Sequence, residues 1–578
     1  MFIVYKRQNG IDYARVCVSR WKNGTSRQQT VHNLGRVIDR ERSIYKNRER
    51  GIFTYDLASD SFGIPEDDFV LNGTNISRKE KLIVNFGDAW FIDQFIKKEG
   101  LDPIIQPIDC DNPDSLFSMI LYYVLESAGN SHAQDWYENS YARFLYPRAD
   151  LASQRVSELL QQIGSEENWR RFFKAYILWL DHLGIDYRRI IIDSTGLPNS
   201  IHFPLTAVSS HNGKISNEVR LIFVVEEEIG LPVFMRYVQG SIIDISTLVQ
   251  TLRELEKYAV EPDLALVDAG YYSEKNVNYL KDNGVEFVCR VQSNRITYKK
   301  AIEENRPLLE RPENLVQYNN RLLYIKKSYA EISSKYKGWI YVCKDIAREA
   351  IEEDKLLNRN DLGQLSKEEI YDELAVDGIF VMVSTNELSK EEILPVYYTR
   401  QEVEQTFDVA KNDASLLPLR IQSEENLRGH LLLVFIATAI RKLIEKTLND
   451  PSTKGMPKKG RKLNTGSLLQ NLGYQHAKVF ADEIIPQEAN SKANLGYRVF
   501  GIESPLSISL GNPSGKKIGN YRLFVPSPTA SCLIESAREA LSLCGMVRYS
   551  PASREAGSAR ATVATGETPP SATICAAC

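Results

Sequence analysis

The chain has 578 residues, of which 43% are hydrophobic and 25% are charged, and its formal net charge is −4. This composition is typical of globular proteins and excludes collagen-like, fibrous and wholly disordered classes, while the length predicts several domains. The longest nearly apolar run, residues 431–440, is about half of the roughly 20 residues needed to cross a bilayer, so we expect a soluble, cytoplasmic protein with no membrane partner.

Residues 1–75 predict a small, basic, β-rich module. Apolar and polar residues alternate in short runs, and Asn-Gly pairs at 9–10 and 23–24 separate these runs as in hairpins. Residues 1–50 contain 12 Lys or Arg and 4 Asp or Glu, so this segment carries +8 and the rest of the chain −12. The excess favours contact with a polyanion, although a charge run alone is equally typical of a solvated face without a partner.

Residues 76–185 change to helical periodicity, for example in 115–126 and 167–180, where apolar residues recur three and four positions apart. They predict a helical domain of about 100 residues. This domain separates the basic module from the strand-rich part of the chain.

Residues 186–294 predict the first part of a mixed α/β sheet. Two buried-type strands end on Asp193 and Asp268, and apolar runs after the first of them complete a three-stranded meander. Asp244 is interpreted as the N-cap of a helix between the meander and the second aspartate. The resulting β-β-β-α-β-α-β order fits a sheet of the ribonuclease H type.

Residues 295–376 interrupt this order with charged, partly helical and partly strand-like sequence, which predicts an insertion domain. Residues 377–450 complete the predicted sheet with one strand and a long helix that reaches Lys411. Residues 451–532 form a C-terminal region with a second basic cluster in an exposed loop at 454–462. Residues 533–578 lack Lys and are rich in Ala, Ser, Thr and Pro, which predicts a disordered tail.

The two strand-end aspartates come from elements that would be neighbours in such a sheet, where side chains at strand ends meet at one edge. Each aspartate alone is also compatible with a turn former or a helix cap. Helical spacing of about 100° per residue gathers four further polar side chains within roughly 60° on one helix face. These four residues are Tyr397, Arg400, Glu404 and Lys411. Alternatively, the helix is merely solvated, and its Arg400–Glu404 pair contributes about 0.2–0.5 kcal/mol.

The spacing of these four residues resembles the Y-x2-R-x3-E-x6-K (YREK) signature of Asp-Asp-Glu (DDE) insertion-sequence transposases of bacteria, which have a ribonuclease H-like catalytic domain. Asp268-Ala-Gly-Tyr-Tyr is similar to the second-aspartate motif of that family, and Asp193-Ser-Thr to the first. The intervals of 75 residues between the aspartates and 136 residues to Glu404 suit an enzyme whose fold is split by an insertion domain.

The resemblance implies a cut-and-paste DNA transposase. Such an enzyme binds the terminal inverted repeats and the target as double-stranded DNA, acts as a homodimer in the synaptic complex, and associates with the nucleoid. Asp193, Asp268 and Glu404 would be catalytic residues that hold two Mg²⁺ (or Mn²⁺) ions, because phosphodiester cleavage develops charge on two oxygens and hard cations prefer carboxylates. Without metal, mutual repulsion should raise the pKa values of these carboxyl groups.

DNA-binding roles follow from the same resemblance. Tyr397, Arg400 and Lys411 would hold phosphates beside the scissile bond. Trp339 in the insertion domain is a candidate for stacking on a flipped base near the transposon end, although a Trp shielded from solvent within a strand core is the commoner explanation.

Two other functions remain open at the sequence level. A metal-dependent nuclease of the same fold would cleave DNA without strand transfer. A catalytically inactive, transposase-derived DNA-binding protein would bind DNA only, and the presence of all three carboxylates disfavours this second alternative.

Overall fold

The protein is described here from a computed structural model. The described residues are 1–8, 11–22, 25–47, 50–63, 65, 82–201, 203–209, 215–358, 366–450, 452–453, 463–480 and 483–510. Residues 1–511 form one compact unit, and the second unit, residues 512–578, lies outside the described residues. The predicted basic cluster at 454–462 and the predicted tail at 533–578 also fall outside them.

The amino-terminal strands form a six-stranded antiparallel sheet in the order in which they occur along the chain. Its strands are β1 (Phe2–Gln8), β2 (Ile11–Lys22), β3 (Thr25–Asp39), β4 (Ile44–Asn47), β5 (Gly51–Asp56) and β6 (Ser61–Gly63). One face packs into its own small cluster, which includes Val16, Leu34, Tyr45, Phe53 and Tyr55. The predicted β-rich character of this segment is confirmed.

A helical region follows, as predicted. Its helices are α1 (Gly87–Lys98), α2 (Asp102–Ile105), α3 (Pro113–Leu125), α4 (Ala133–Asn139), α5 (Ala142–Leu145), α6 (Ser153–Ile163) and α7 (Glu166–His182). The prediction was wrong at its start, because β7 (Leu82–Asn85) is a strand that pairs with β18 (His476–Val479) almost 400 residues later. Such a distant partner leaves no local periodicity in the sequence.

The central sheet has ten strands. They are β8 (Arg189–Pro198), β9 (Ala207–Ser209), β10 (Ser216–Glu226), β11 (Pro232–Gln239), β12 (Leu264–Val267), β13 (Glu286–Val291), β14 (Leu315–Tyr318), β15 (Arg321–Glu331), β16 (Lys337–Asp345) and β17 (Ile379–Ser384). Their order across the sheet is β11-β10-β8-β12-β13-β17-β16-β15-β14, with β9 paired to β10. The first three long strands form an antiparallel meander, whereas β12 runs parallel to both β8 and β13. This arrangement confirms the predicted ribonuclease H-like, mixed α/β fold.

Helices α8 (Asp244–Glu256) and α9 (Glu274–Asp282) connect the parallel strands. The predicted insertion, residues 295–376, contains α10 (Ile296–Asn305), α11 (Ile346–Leu357), α12 (Lys367–Leu374) and the strands β14 to β16. Strand β16 pairs with β17, so these strands extend the central sheet instead of forming a sheet of their own.

The remaining elements complete the core. They are α13 (Ile393–Tyr398), α14 (Gln401–Asp408), α15 (Glu424–Asn449), α16 (Thr465–Gly473), β18, β19 (Glu483–Pro486), α17 (Ser491–Phe500) and β20 (Ile508–Ser509). Helix α15 is buried along most of its length, and its Phe435 contacts the rings of Phe173 in α7 and Phe223 in β10. The helical region and the central sheet therefore share one hydrophobic core. Among the described residues, no helix is both long and apolar enough to cross a membrane.

His430 of α15 provides a pH-sensitive contact in this core. Its Nδ1 lies 2.8 Å from the hydroxyl of Tyr123, and its Nε2 lies 3.1 Å from the carbonyl oxygen of Leu416. A neutral ring satisfies both contacts, accepting from the hydroxyl and donating to the carbonyl. Burial lowers the pKa of His430 to about 4, so the folded protein resists protonation of this ring.

We expect His430 to destabilise the fold as the pH falls. The unfolded chain binds a proton near pH 6.5 and the folded chain does not, so the stabilisation is complete above that pH and is lost towards pH 4. The free energy of unfolding should fall by about 2 kcal/mol more between pH 7 and pH 5 in the wild type than in His430→Gln. Urea unfolding at both pH values measures this difference, and parallel pH profiles for the two proteins would contradict it.

Candidate active site

The two aspartates of the predicted site lie side by side in the central sheet. Strand β12 pairs in parallel with β8, and Val267 stands opposite Ile192. Asp268 directly follows Val267 and Asp193 directly follows Ile192, so the register makes the two aspartates neighbours. The prediction that the first strand ends on Asp193 was wrong, because β8 continues to Pro198 through its pairing with β10. Asp193 thus projects from the middle of a rigid strand.

The predicted long helix carrying Glu404 is broken into three segments. Helix α13 ends at Tyr398, α14 begins at Gln401, and a π-helical turn covers Val409–Asp413. The hydroxyl of Thr399 donates to the carbonyl of Val396 at 2.6 Å, a local bond that commonly bends helices. The assumption of one regular helix was therefore wrong, although its four polar side chains still reach the carboxylate site or its edge.

Arg400 bridges all three predicted carboxylates. Its Nη1 lies 2.8 Å from Asp193 Oδ2, its Nη2 lies 2.8 Å from Glu404 Oε1, and its Nε lies 3.9 Å from Asp268 Oδ1. The Arg400 side chain is only 18% exposed, so its charge is poorly screened by water. One guanidinium group thus brings together side chains from β8, from the end of β12 and from α14.

Burial and the closeness of several carboxylates shift the pKa values of Asp193 and Arg400. Burial raises the pKa of Asp193 to about 7; Arg400 opposes the rise, while Asp268 and Asp244 add to it. Burial alone would lower the pKa of Arg400, but the surrounding carboxylates hold it above the usual arginine value. An additional cation would relieve the repulsion among these acids.

Tyr397 and Lys411 stand beside the carboxylates. The hydroxyl of Tyr397 donates to Asp268 Oδ1 at 3.2 Å, and burial followed by the charge of Asp268 raises the pKa of this phenol, which keeps it protonated. The ammonium group of Lys411 donates to Thr195 Oγ1 at 2.6 Å, and burial lowers its pKa. Both side chains therefore bring hydrogen-bond donors to this edge of the sheet.

Asp244 is not the helix cap that the sequence suggested. The N-cap of α8 is Ile243, and the carboxylate of Asp244 instead accepts from Ser194 Oγ at 2.5 Å and from Arg220 Nη1 at 2.6 Å. Sequence reasoning missed Ser194 and Arg220 as part of this network. For Ser194 a sequence signal existed: it directly follows Asp193, so its side chain projects from the opposite face of the strand.

The carboxylates of the site suit metal ions by their donor atoms but are held apart from a closed metal cluster. Within the described ranges, no group of three His, Cys, Asp or Glu side chains is gathered closely enough to hold an ion. The three acids of the site instead share the guanidinium group of Arg400. Their donor atoms are all carboxylate oxygens, the ligands that Mg²⁺ and Mn²⁺ prefer, so the residues present fit these ions chemically.

Two further features are a cavity beside Tyr397 and the surroundings of the predicted residue Trp339. Tyr397 also lines a cavity of about 360 Å³ whose walls include Arg290, Arg348 and Tyr398. Trp339 lies in β16 and is partly buried, with the ammonium group of Lys327 4.2 Å from its ring centroid. The sequence singled out Trp339 but not Arg290, which directly follows the buried Cys289 in β13.

Two of three comparisons with known proteins found a match to this chain. No curated protein matches the chain significantly. Among solved structures, the cryo-EM structure of a piggyBac transposase synaptic complex with hairpin DNA matches with a TM-score of 0.37 and 11% sequence identity, over 69% of this chain and 81% of that chain. Residues 184–440, which contain the three carboxylates and Arg400, match the family model described as the transposase DDE domain.

Proposed function

We propose that the protein is a DNA transposase of the insertion-sequence type with the YREK signature, which cleaves DNA at transposon ends and joins those ends to a target. The observation that carries this proposal is the contact of one guanidinium group, that of Arg400, with Asp193, Asp268 and Glu404. The match of residues 184–440 to the transposase DDE domain supports the same reaction class.

In this proposal, Asp193, Asp268 and Glu404 are the catalytic residues and hold two Mg²⁺ or Mn²⁺ ions. When bound, the ions would stabilise charge on the attacking and leaving oxygens of the phosphodiester. The chain's own contribution is to fix the three carboxylates on strand β8, directly after strand β12 and on helix α14. A rigid sheet positions such groups more accurately than a loop does.

The cationic and phenolic donors would hold DNA phosphates at the same edge of the sheet. Arg400 offers a planar fork of donors, Lys411 a point charge and Tyr397 a protonated hydroxyl group. These contacts would position the DNA without reading its sequence. Trp339 remains our candidate for stacking on a flipped base, and the exposed Tyr329 contacts its ring at a tilt of 58°, with ring centroids 5.0 Å apart.

The proposed partners are the terminal inverted repeats and the target DNA, with a homodimer in the synaptic complex and association with the nucleoid. The amino-terminal module (1–75) and the helical domain (76–185) would bind the ends. Residues 186–294 and 377–450 would form the catalytic core around the insertion at 295–376, and residues 451–532 would follow as a C-terminal region.

A supercoiled plasmid that carries the coding DNA with its natural flanks tests the proposal. With Mg²⁺, we expect breaks at the ends of the element and products in which those ends are joined to new sites. Chelation by EDTA should abolish both products, because the carboxylates then lack their ions, while DNA binding in a gel-shift assay should persist. Cleavage without joined products would identify a nuclease, and binding without cleavage in Mg²⁺ or Mn²⁺ would identify an inactive derivative.

A further inference from the structure

We propose that the outer face of the amino-terminal sheet docks the sugar-phosphate backbone of duplex DNA through a row of side chains that crosses four strands. The row consists of Lys6, Tyr13, Arg36 and Lys46, and we call it the cationic row. The inference rests on the proposed function, since a transposase must hold DNA outside its catalytic site. It specifies which surface of the basic module makes the contact.

Strand register places the members of the cationic row directly opposite one another. Lys6 of β1 pairs with Tyr13 of β2, Tyr13 pairs with Arg36 of β3, and Arg36 pairs with Lys46 of β4. Residues directly opposite one another in adjacent strands project from the same face of a sheet. The four side chains therefore form one line across the sheet.

The row faces away from the small core of the module. Side chains alternate between the two faces of a strand, and the neighbours Tyr5, Ala14 and Tyr45 belong to the core cluster or pack against it. Lys6 and Arg36 are accordingly exposed, and Tyr13 remains 41% exposed despite its size. The opposite face packs into the apolar cluster that includes Val16, Leu34 and Phe53.

Within the described part of the module, the charges of the row are not neutralised by a carboxylate. Among the residues that the structure describes, Lys6, Arg36 and Lys46 have no carboxylate within ion-pair distance, whereas the neighbouring Arg7 has its partner in Asp12 at 3.7 Å. Most exposed cations on helix α7 are paired within their own helix, as Arg170 is with Glu166. Three unpaired cations in a line are complementary to a regular polyanion.

The dimensions of the row suit a DNA duplex. Four adjacent strands spaced about 4.8 Å apart give the row a length of about 14 Å, which is close to the roughly 12 Å width of the major groove. Cations at its two ends can therefore meet phosphates on either side of a groove. Arg15 adds a further cation on this face, opposite Val4 and Asn33, and the exposed Trp21 lies on the same strand.

The test compares two triple variants of the full-length protein that remove equal charge from the same module. The row variant is Lys6→Gln, Arg36→Gln, Lys46→Gln. The control variant is Arg40→Gln, Arg42→Gln, Arg50→Gln, in which Arg40 and Arg50 stack on Tyr5 and Phe62 at the core side of the sheet. Binding of a duplex of random sequence is measured by fluorescence anisotropy at several salt concentrations, and circular dichroism verifies that both variants fold.

We expect the row variant to bind at least about tenfold more weakly at 0.1 M salt. The magnitude of the slope of log K against log salt should fall by about 2 to 3, because each phosphate contact contributes about 0.9 to that slope. The control variant should change the slope by less than about 1. Equal effects in the two variants, or none in the row variant, would overturn the docking surface. If the wild type bound no duplex at all, the proposed function itself would fail.

Discussion

Replacement of Asp193 by Asn is expected to reduce DNA cleavage by at least about 10³-fold, equivalent to about 4 kcal/mol of transition-state stabilisation. The side chain is only 17% exposed and is held by Arg400, so an amide of the same shape preserves the packing but removes the negative charge that a divalent ion requires. Binding of transposon-end DNA should stay within about threefold of the wild type, because phosphate contacts by cations elsewhere supply that affinity.

A matched control comes from the opposite end of strand β12. Asp263 directly precedes this strand, is 72% exposed and lies 3.9 Å from Arg188, whereas Asp268 directly follows the strand. We expect Asp263→Asn to cleave like the wild type and Asp268→Asn to fail like Asp193→Asn. Initial rates on a labelled end fragment measure all three variants, and undiminished cleavage by Asp193→Asn would remove the catalytic assignment.

The sequence predicted those parts of the fold that depend on local patterns. The alternation and β-branched runs around Asp193 and Asp268 located the strands, and strand order then followed from the topology of a known fold class. The spacing of the four polar residues from Tyr397 to Lys411 placed them on one helix face, and the resemblance to a family signature identified them as site residues. These side chains reach the site although the helix is bent and contains a π-helical turn, because side chains of this length can adapt their rotamers.

Strand pairing over long sequence distances and the ion-pair partner of Asp244 could not be predicted. Strand β7 finds its partner β18 across most of the chain, and the strands at 315–345 continue the central sheet, yet neither contact leaves a periodic signal. The role of Asp244 was missed because an aspartate that starts a helix usually caps it. Only the folded chain shows that this carboxylate accepts hydrogen bonds from Ser194 and Arg220.

Replacement of Arg400 by Ala should destabilise the metal-free protein by about 3 kcal/mol at pH 8, because it leaves the buried carboxylate of Asp193 without its partner. Without Arg400, the pKa of Asp193 rises further above its unfolded value. A carboxyl group with a raised folded-state pKa stabilises the fold below its unfolded pKa, and this stabilisation is lost as the pH rises through the folded pKa. The loss should therefore be smaller at pH 5.5, where Asp193 can take up a proton.

The matched control is Arg170→Ala, which breaks an exposed ion pair with Glu166 and should cost no more than about 0.5 kcal/mol. Adding Asp193→Asn to Arg400→Ala should recover most of the lost stability, because no buried charge then remains unpaired, and a double-mutant cycle in urea measures this coupling. Mg²⁺ should stabilise Arg400→Ala more than the wild type, since a cation that binds the carboxylates would replace the missing guanidinium. Equal stabilisation of both proteins by Mg²⁺ would mean that the ion binds elsewhere, and the assignment of these carboxylates as its ligands would fall.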